Sequence, residues 1–164
     1  FYSGAHKIVM AFVMLTSMPI SMALFPMISR KFSESKEQGM AMLKKSVGIV
    51  GSVGLLVSVF VYFLAPLLVR ILLGEGFESS VGMLKTFSPL PFLIIMASMF
   101  TVQGLYGMQL HKYAPLVGLT VGVCCIGLTY LLMPHYGVYS AIIAYVLAEL
   151  VEIVLSASII YIKK

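Results

Sequence analysis

The sequence contains very few charged residues and no tryptophan. Lysine and arginine together number 11, aspartate and glutamate together number 6, and charged residues make up only 10% of the 164 positions. Hydrophobic residues make up 60%. A soluble domain averages about 45–50% apolar and about 25% charged residues, because it must cover its surface with polar groups. This composition therefore excludes an ordinary water-soluble domain and favours a protein that lies in a lipid bilayer.

The motifs of common soluble enzymes are also missing. There is no G-x-x-x-x-G-K-[ST] phosphate loop, no H-E-x-x-H zinc motif and no G-x-S-x-G nucleophile motif. The three histidines, His6, His111 and His135, lie near the ends of apolar segments, so we expect no metal site. Cys124 and Cys125 are neighbours, and neighbouring side chains on a helix point apart, so we expect no disulfide between them. We therefore expect neither an enzyme nor a bound cofactor.

The sequence is dominated by long uncharged segments. Residues 8–29, 46–69 and 86–110 contain no Asp, Glu, Lys or Arg. A helix needs about 20 apolar residues to cross the hydrocarbon core, and only helices or closed barrels satisfy their backbone groups in lipid. The fold class predicted is all-α, a polytopic transmembrane helix bundle. The predicted spans cover about 5–29, 46–69, 86–110, 114–133 and 138–162.

Basic residues are distributed unequally between the two sides of such a bundle. One side would carry Arg30, Lys31, Lys36, Lys44, Lys45, Lys112, Lys163 and Lys164. The other side would carry Lys7, Arg70 and Lys85. Because positive residues favour the cytoplasm, we predict that the C-terminus is cytoplasmic. The net charge of +5 lies in these short connections, so it indicates membrane topology and not nucleic-acid binding.

Local patterns predict further details of the helices. Ser35 followed by Gln38 fits a capping box, which predicts that a short interfacial helix begins there. Gly118 and Gly122 form a G-x-x-x-G pattern, which predicts close packing with a neighbouring helix. Five prolines predict kinks, because each removes a helix hydrogen bond: Pro19, Pro26, Pro66, Pro89 and Pro91.

Two acidic residues interrupt the fifth predicted span. Glu149 lies near its middle, and Glu152 follows three residues later on the same helix face. A carboxylate at the bilayer centre costs about 3 kcal/mol, so Glu149 should face the bundle or a water path. Two interpretations remain open. The pair binds a proton and couples transport to an ion gradient, or it forms a hydrogen bond or ion pair between helices.

The first thirty residues resemble a known family of membrane proteins. The run YSGAHKIVMAFVML (2–15), followed by LFPMISRKF (24–32), is similar to the lipid-linked polysaccharide flippases, also called O-antigen flippases. These belong to the multidrug, oligosaccharidyl-lipid and polysaccharide exporter superfamily. Pro26, Ile28 and Ser29 match the proline-x-Ile-Ser pattern near the end of a helix in that family. The family often has a basic residue where this chain has Met27.

Two later segments carry the same resemblance. RILLGEGFESSVGMLK (70–85) is similar to an outward loop of the family, and VQGLYGMQLHKY (102–113) is similar to its next cytoplasmic turn. The resemblance implies a transporter of about twelve helices in two six-helix lobes. This chain would then be a C-terminal fragment that supplies the eighth to twelfth helices, and the missing N-terminal helices would be its partners. Its first residue, Phe1, agrees with a fragment.

The resemblance also implies a function and a location. The protein would flip an undecaprenyl-pyrophosphate-linked oligosaccharide across the bacterial inner membrane for O-antigen or capsule synthesis. A proton or sodium gradient, and not ATP, would drive the movement. Lys7 would bind the pyrophosphate or extend to the headgroups, and Gln103 would bind sugar hydroxyls or a neighbouring helix. Glu149 and Glu152 would couple the ion.

Three other functions remain open from the sequence. A multidrug or small-cation exporter of the same superfamily would favour an acidic cavity, whereas a flippase needs a basic one. A membrane-embedded glycan polymerase or ligase usually carries a large outward loop, but the outward connections here cover only about 70–85 and 134–138. A structural membrane subunit would not need acidic residues inside a span.

Overall fold

A computed structural model of the chain describes residues 2–163, and it is built from helices joined by short turns. The helices are α1 (Tyr2–Glu34), α2 (Lys36–Leu73), α3 (Ser79–Phe87), α4 (Leu90–Ser98), a π helix (Met99–Tyr106), a 3₁₀ turn (His111–Tyr113), α5 (Ala114–Tyr136) and α6 (Tyr139–Ile162). Helix α3, α4 and the π helix form one helical unit, Ser79–Tyr106. Five units are therefore long and apolar enough to cross a membrane, which confirms the predicted fold class. Lys164, which was assigned to the basic tail, lies outside the described residues.

The connection between the first two long helices is shorter than the sequence predicted. Ser35 caps α2 by accepting a hydrogen bond from the Gln38 backbone N–H at 3.3 Å. The separate interfacial helix was wrong, because the helix that begins after this cap continues without a break to Leu73. Its 38 residues correspond to about 57 Å at 1.5 Å per residue, well beyond the ~30 Å hydrocarbon core. Lys44 and Lys45 therefore lie on α2 and not in a loop.

The third helical unit is interrupted between α3 and α4, at Ser88 and Pro89. Pro89 and Pro91 have no backbone N–H and disfavour a continuous helix at this point. Helix α2 supports the new helix start, because the Ser58 hydroxyl accepts a hydrogen bond from the Phe92 N–H at 3.0 Å. The other three prolines, Pro19, Pro26 and Pro66, lie inside helices that continue through them.

Two apolar clusters form the interior. The first joins α1, α2, α3, α4 and α6 through Ala5, Ile8, Val9, Val13, Val61, Ala65, Val69, Leu84, Phe87, Leu90 and Ile142. The second lies toward the other end of α1 and α6 and contains Ile28, Met40, Leu43, Val50, Ile95, Met99, Leu105, Val117 and Ile160. The helices of the described chain therefore each turn part of their surface toward an apolar interior.

The outer faces of the helices are strongly apolar. Leu15 is 74% exposed, Phe63 is 72% exposed and Ile126 is 74% exposed. Helix α5 has one buried residue, Val117, and packs mainly on α6. Contiguous apolar surface of this extent marks a membrane interaction, because water would solvate it poorly. This exposed apolar surface therefore requires the lipid bilayer that the composition predicts.

Glycines inside the long helices are in two different situations. A Cβ added at Gly54 would lie 3.2 Å from the Cα of Phe92, so this glycine allows α2 and α4 to approach closely. A Cβ added at Gly118 or Gly122 would meet no atom within 4 Å in the described part of the chain. Within the described residues, no neighbouring helix packs against the G-x-x-x-G pattern, because that face of α5 is exposed.

The π helix ends in a Schellman motif with an unusual residue in its left-handed position. The Leu110 N–H donates to the Leu105 carbonyl at 2.7 Å, and the Gln109 N–H donates to the Tyr106 carbonyl at 3.0 Å. Gln109 has a φ of 58°, a conformation that glycine adopts most easily. Leu105 and Leu110 both pack in the second cluster and complete the apolar contact of the motif.

Candidate functional site: a polar layer beside the second apolar cluster

Polar side chains of α1, α4, the π helix and α6 lie beside the second apolar cluster. Along α1, Ser21 lies between Val13 of the first cluster and Ile28 of the second. Along α6, Glu149 lies between Ile142 of the first cluster and Ile160 of the second. We call this set the polar layer; it consists of Ser21, Ser98, Thr101, Gln103, Glu149, Glu152 and Ser156.

The α6 side of the polar layer is held by the π helix. The Thr101 hydroxyl donates to Oε1 of Glu152 at 2.8 Å, and its oxygen lies 2.8 Å from the hydroxyl of the fully buried Ser156. A hydroxyl has one proton to donate, so Ser156 donates to Thr101 when Thr101 donates to Glu152. This chain of hydrogen bonds fixes the Glu152 carboxylate against the neighbouring helical unit.

Glu149 is the most enclosed charged residue of the layer, with only 8% of its surface exposed. Glu152 lies one turn later and Tyr145 one turn earlier on the same face of α6. Two carboxylates on one face repel each other, so this arrangement favours a bound cation or proton between them. The prediction that the acids face the bundle agrees with the burial of Glu149.

Gln103 links the π helix to α1. Its side chain is fully buried, and its Nε2 donates to the Ser21 carbonyl at 3.4 Å. The Ser21 hydroxyl also lies 3.3 Å from the hydroxyl of Ser98, the last residue of α4, so two polar contacts connect α1 to the helical unit Ser79–Tyr106. Gln103 Oε1 is buried and has no hydrogen-bond partner among residues 2–163. A buried acceptor without a partner is costly, which makes this atom a candidate for binding a ligand or water in another conformation.

Lys7 lies far from the rest of the predicted site. It is exposed near the start of α1, with the buried Ala5 and Ile8 on the other face of the helix. Ser21 follows it by 14 positions, about 21 Å along the helix axis, and Gln103 contacts Ser21. The structure therefore brings Glu149 and Glu152 together, but it does not bring Lys7 next to Gln103.

Four hydroxyl residues of the polar layer were missed by the sequence reasoning: Ser21, Ser98, Thr101 and Ser156. Ser156 follows Glu152 by four positions, so its spacing placed it on the acidic face of α6 and offered a usable signal. The other three offered none, because their contacts depend on how α1, α4 and the π helix pack. The π helix itself also had no sequence signal, although such helices frequently occur at functional sites.

The described residues offer no ready metal site. In residues 2–163 no group of three or more His, Cys, Asp or Glu side chains is arranged to hold a metal ion. Cys124 and Cys125 are free, half-buried thiols in α5. The ionisable groups available to the chemistry of the polar layer are therefore carboxylates, which suit cations and protons.

These features define the class of protein: a polytopic membrane protein with ionisable side chains in its interior. Residues 1–82, half of the chain, match the family model described as "Polysaccharide biosynthesis protein". The chain belongs to this family. The resemblance seen in the first thirty residues is thereby confirmed.

A relative in Escherichia coli strain K12 extends the comparison. The chain is 35% identical over 95 residues to that organism's "Putative O-antigen transporter", a region that covers 58% of this chain. The region spans 22% of the length of the relative. The relative's name describes a transporter and not an enzyme. No solved structure matches the chain.

Proposed function

We propose that this chain is part of a transporter that flips an undecaprenyl-pyrophosphate-linked oligosaccharide across the bacterial inner membrane for O-antigen or capsule synthesis. The family match over residues 1–82 is the observation that carries the proposal. The name of the Escherichia coli relative and the five membrane-length helices agree with it. The chain would be an incomplete C-terminal lobe of a two-lobed transporter, and the missing N-terminal helices would complete the cavity.

The polar layer would couple this movement to an ion gradient. Glu149 is enclosed and lies one turn from Glu152, whose carboxylate is held by Thr101 of the π helix. Binding of a proton or sodium ion to this pair would weaken its repulsion and change the contact between α6 and the π helix. That change would shift the balance between inward-open and outward-open states, because a ligand shifts a conformational equilibrium by its differential affinity.

Two further residues would contact the substrate. Lys7 is exposed on the first helix, where its ammonium group would bind the pyrophosphate. Gln103 would offer its free Oε1 to a sugar hydroxyl after the contact with α1 opens. The separation of these residues along α1 suits a substrate that extends from a charged headgroup through a chain of sugars.

The proposed orientation follows from the basic residues. The α1–α2 connection, the turn at residues 107–113 and the C-terminus would face the cytoplasm, and residues 74–78 would face the periplasm.

A second candidate function is export of a small cation or cationic drug. The enclosed carboxylates of Glu149 and Glu152 favour it, because a cationic substrate binds acidic groups directly. In that case the acids would bind the substrate itself and not a coupling ion.

Deletion of the complete gene from its host distinguishes these functions. We expect the lipid-linked oligosaccharide to accumulate on the cytoplasmic leaflet, and complementation with the complete gene to restore its appearance on the outer leaflet. Unchanged crossing of the lipid-linked glycan in a clean deletion would contradict the flippase proposal. Increased sensitivity to cationic drugs would then indicate the exporter, and a changed glycan chain length would indicate a polymerase.

A further inference from the structure

We infer that a cleft at the α1–α2 connection binds a phosphate group at the membrane surface. The cleft has a volume of about 340 Å³, near the lower limit of the ~300–1,000 Å³ that small-molecule sites occupy. It lies between the end of α1, the start of α2 and the turn that follows the π helix. Its polar lining consists of Ser29, Arg30, Ser33, Lys36 and Gln109.

The charge of this cleft differs from that of the cleft at the other end of the bundle. Its described lining includes two cations, Arg30 and Lys36, and no carboxylate. The cleft of about 410 Å³ beside the α2–α3 connection is lined instead by Arg70 together with Glu75 and Glu78. A phosphate group would be attracted to the first cleft and repelled by the acids of the second.

One carboxylate lies just outside the first cleft and reduces its charge without cancelling it. Glu34 accepts from Arg30 Nε at 3.3 Å and from Lys31 Nζ at 2.6 Å. A guanidinium has five N–H donors, so the Arg30 Nη groups remain available to the cleft. Lys36 makes no ion pair among residues 2–163, and its ammonium is exposed at the first position of α2.

The backbone of Gln109 gives independent support. This residue takes the left-handed position of the Schellman motif, where glycine would be less strained. A strained non-glycine residue that lines a cleft indicates a role for its side chain. The Gln109 amide would donate a hydrogen bond to a phosphate oxygen, beside the Ser29 hydroxyl. Ser33 already donates to the Arg30 carbonyl at 2.7 Å, so it would act as a positioning residue.

The ligand class is a phosphate ester carried by an amphiphile. The cleft accommodates a headgroup and not a whole lipid, and it lies where α1 leaves its long uncharged segment, residues 8–29. Two sources share this chemistry: the headgroup of an anionic phospholipid, and the pyrophosphate of the lipid-linked substrate as it enters from the cytoplasmic leaflet. The second source rests on the proposed function, whereas the first does not.

The test uses the complete gene product in phosphatidylcholine nanodiscs, titrated with inorganic pyrophosphate. We expect saturable binding that weakens about tenfold or more in the Arg30→Gln/Lys36→Gln double variant, because two charge-assisted contacts are lost. The matched control, Arg70→Gln/Lys85→Gln, removes two cations from the opposite end and should change the Kd less than twofold. No binding by the wild-type protein, or an equal loss in the control, would overturn the inference.

A second variant separates ligand binding from folding. Gln109→Gly suits the left-handed backbone, so we expect its thermal stability to be equal to or above that of the wild type while its affinity for pyrophosphate falls several-fold. Unchanged affinity in Gln109→Gly would contradict the role of this side chain.

The source of the phosphate is settled by changing the lipid. If phosphatidylglycerol in the nanodisc competes with inorganic pyrophosphate, the cleft binds phospholipid headgroups. If it does not compete and undecaprenyl pyrophosphate does, the cleft admits the substrate. Because these assays measure binding alone, they remain informative even if the gene deletion contradicts the flippase proposal.

Discussion

Replacement of Glu149 by glutamine is expected to reduce transport by the complete protein about tenfold or more, comparable to the loss of one charged hydrogen bond. Glutamine keeps the size of the side chain and its ability to form hydrogen bonds, but it cannot release or bind a proton. Because Glu149 is only 8% exposed and neighbours Glu152, it is the residue whose charge would matter most to ion coupling. The residual transport should also lose its dependence on pH. The measurement is uptake or flipping in proteoliposomes over a range of pH.

The control for this variant lies outside the bundle. Glu75 is exposed in the turn after α2, so Glu75→Gln removes a carboxylate without affecting the polar layer. We expect this control to transport at the wild-type rate with the wild-type pH profile. Normal transport by Glu149→Gln at every pH tested would remove this residue from the mechanism and leave it a purely structural role.

Replacement of Gly39 by alanine is expected to lower the free energy of unfolding by about 2 kcal/mol, within the usual range for overpacking. Gly39 lies in the first turns of α2, directly against Phe32 of α1. A Cβ at this position would collide with the Phe32 ring and would lie 2.8 Å from the Phe32 Cα. The ring could rotate, but the backbone cannot move without opening the connection between α1 and α2. The measurement is unfolding in detergent micelles.

The same substitution elsewhere on α2 provides the comparison. A Cβ at Gly48 would meet no described atom within 4 Å, so Gly48→Ala should be neutral or stabilise the helix by about 0.5–1 kcal/mol. Equal effects of the two substitutions would show that the close contact between Gly39 and Phe32 does not hold the helices together.

The number and type of the long helices were predictable from the sequence because lipid imposes a simple rule. An uncharged segment of more than 20 residues can cross the bilayer, where its backbone N–H and C=O groups must form hydrogen bonds within the protein. The uncharged residues 8–29, 46–69 and 86–110 lie in three of the five long helical units. The start of α2 was also predictable, because the hydroxyl of Ser35 caps it through a local contact.

The helix limits were less predictable, because charge does not end a helix. Lys44 and Lys45 mark where α2 becomes polar, but Lys36–Leu73 is one helix, since a helix can continue from lipid into water where its side chains become charged. The short interfacial helix was wrong for this reason. The close packing of Gly118 and Gly122 stays a prediction, because no helix among residues 2–163 lies against them.

The candidate site could be predicted only where the signal was local. Glu149 stood out because a carboxylate inside a span is costly wherever it points. The hydroxyl of Thr101, which holds Glu152, did not, because its partner lies 51 positions away in the sequence. The left-handed backbone conformation of Gln109 was also not predictable, since glycine and not glutamine is the usual residue at this position of a helix end.

One labelling measurement tests most directly whether these helices cross the membrane with the polar layer inside. In complete protein with Cys124 and Cys125 replaced by alanine, single cysteines are introduced at Glu78 and Lys112, two exposed positions that flank the unit Ser79–Tyr106. A membrane-impermeant maleimide should label Glu78→Cys in intact spheroplasts and Lys112→Cys only in inverted vesicles. Labelling of both positions from the same side would contradict the account, because the helical unit between them would then not span the bilayer.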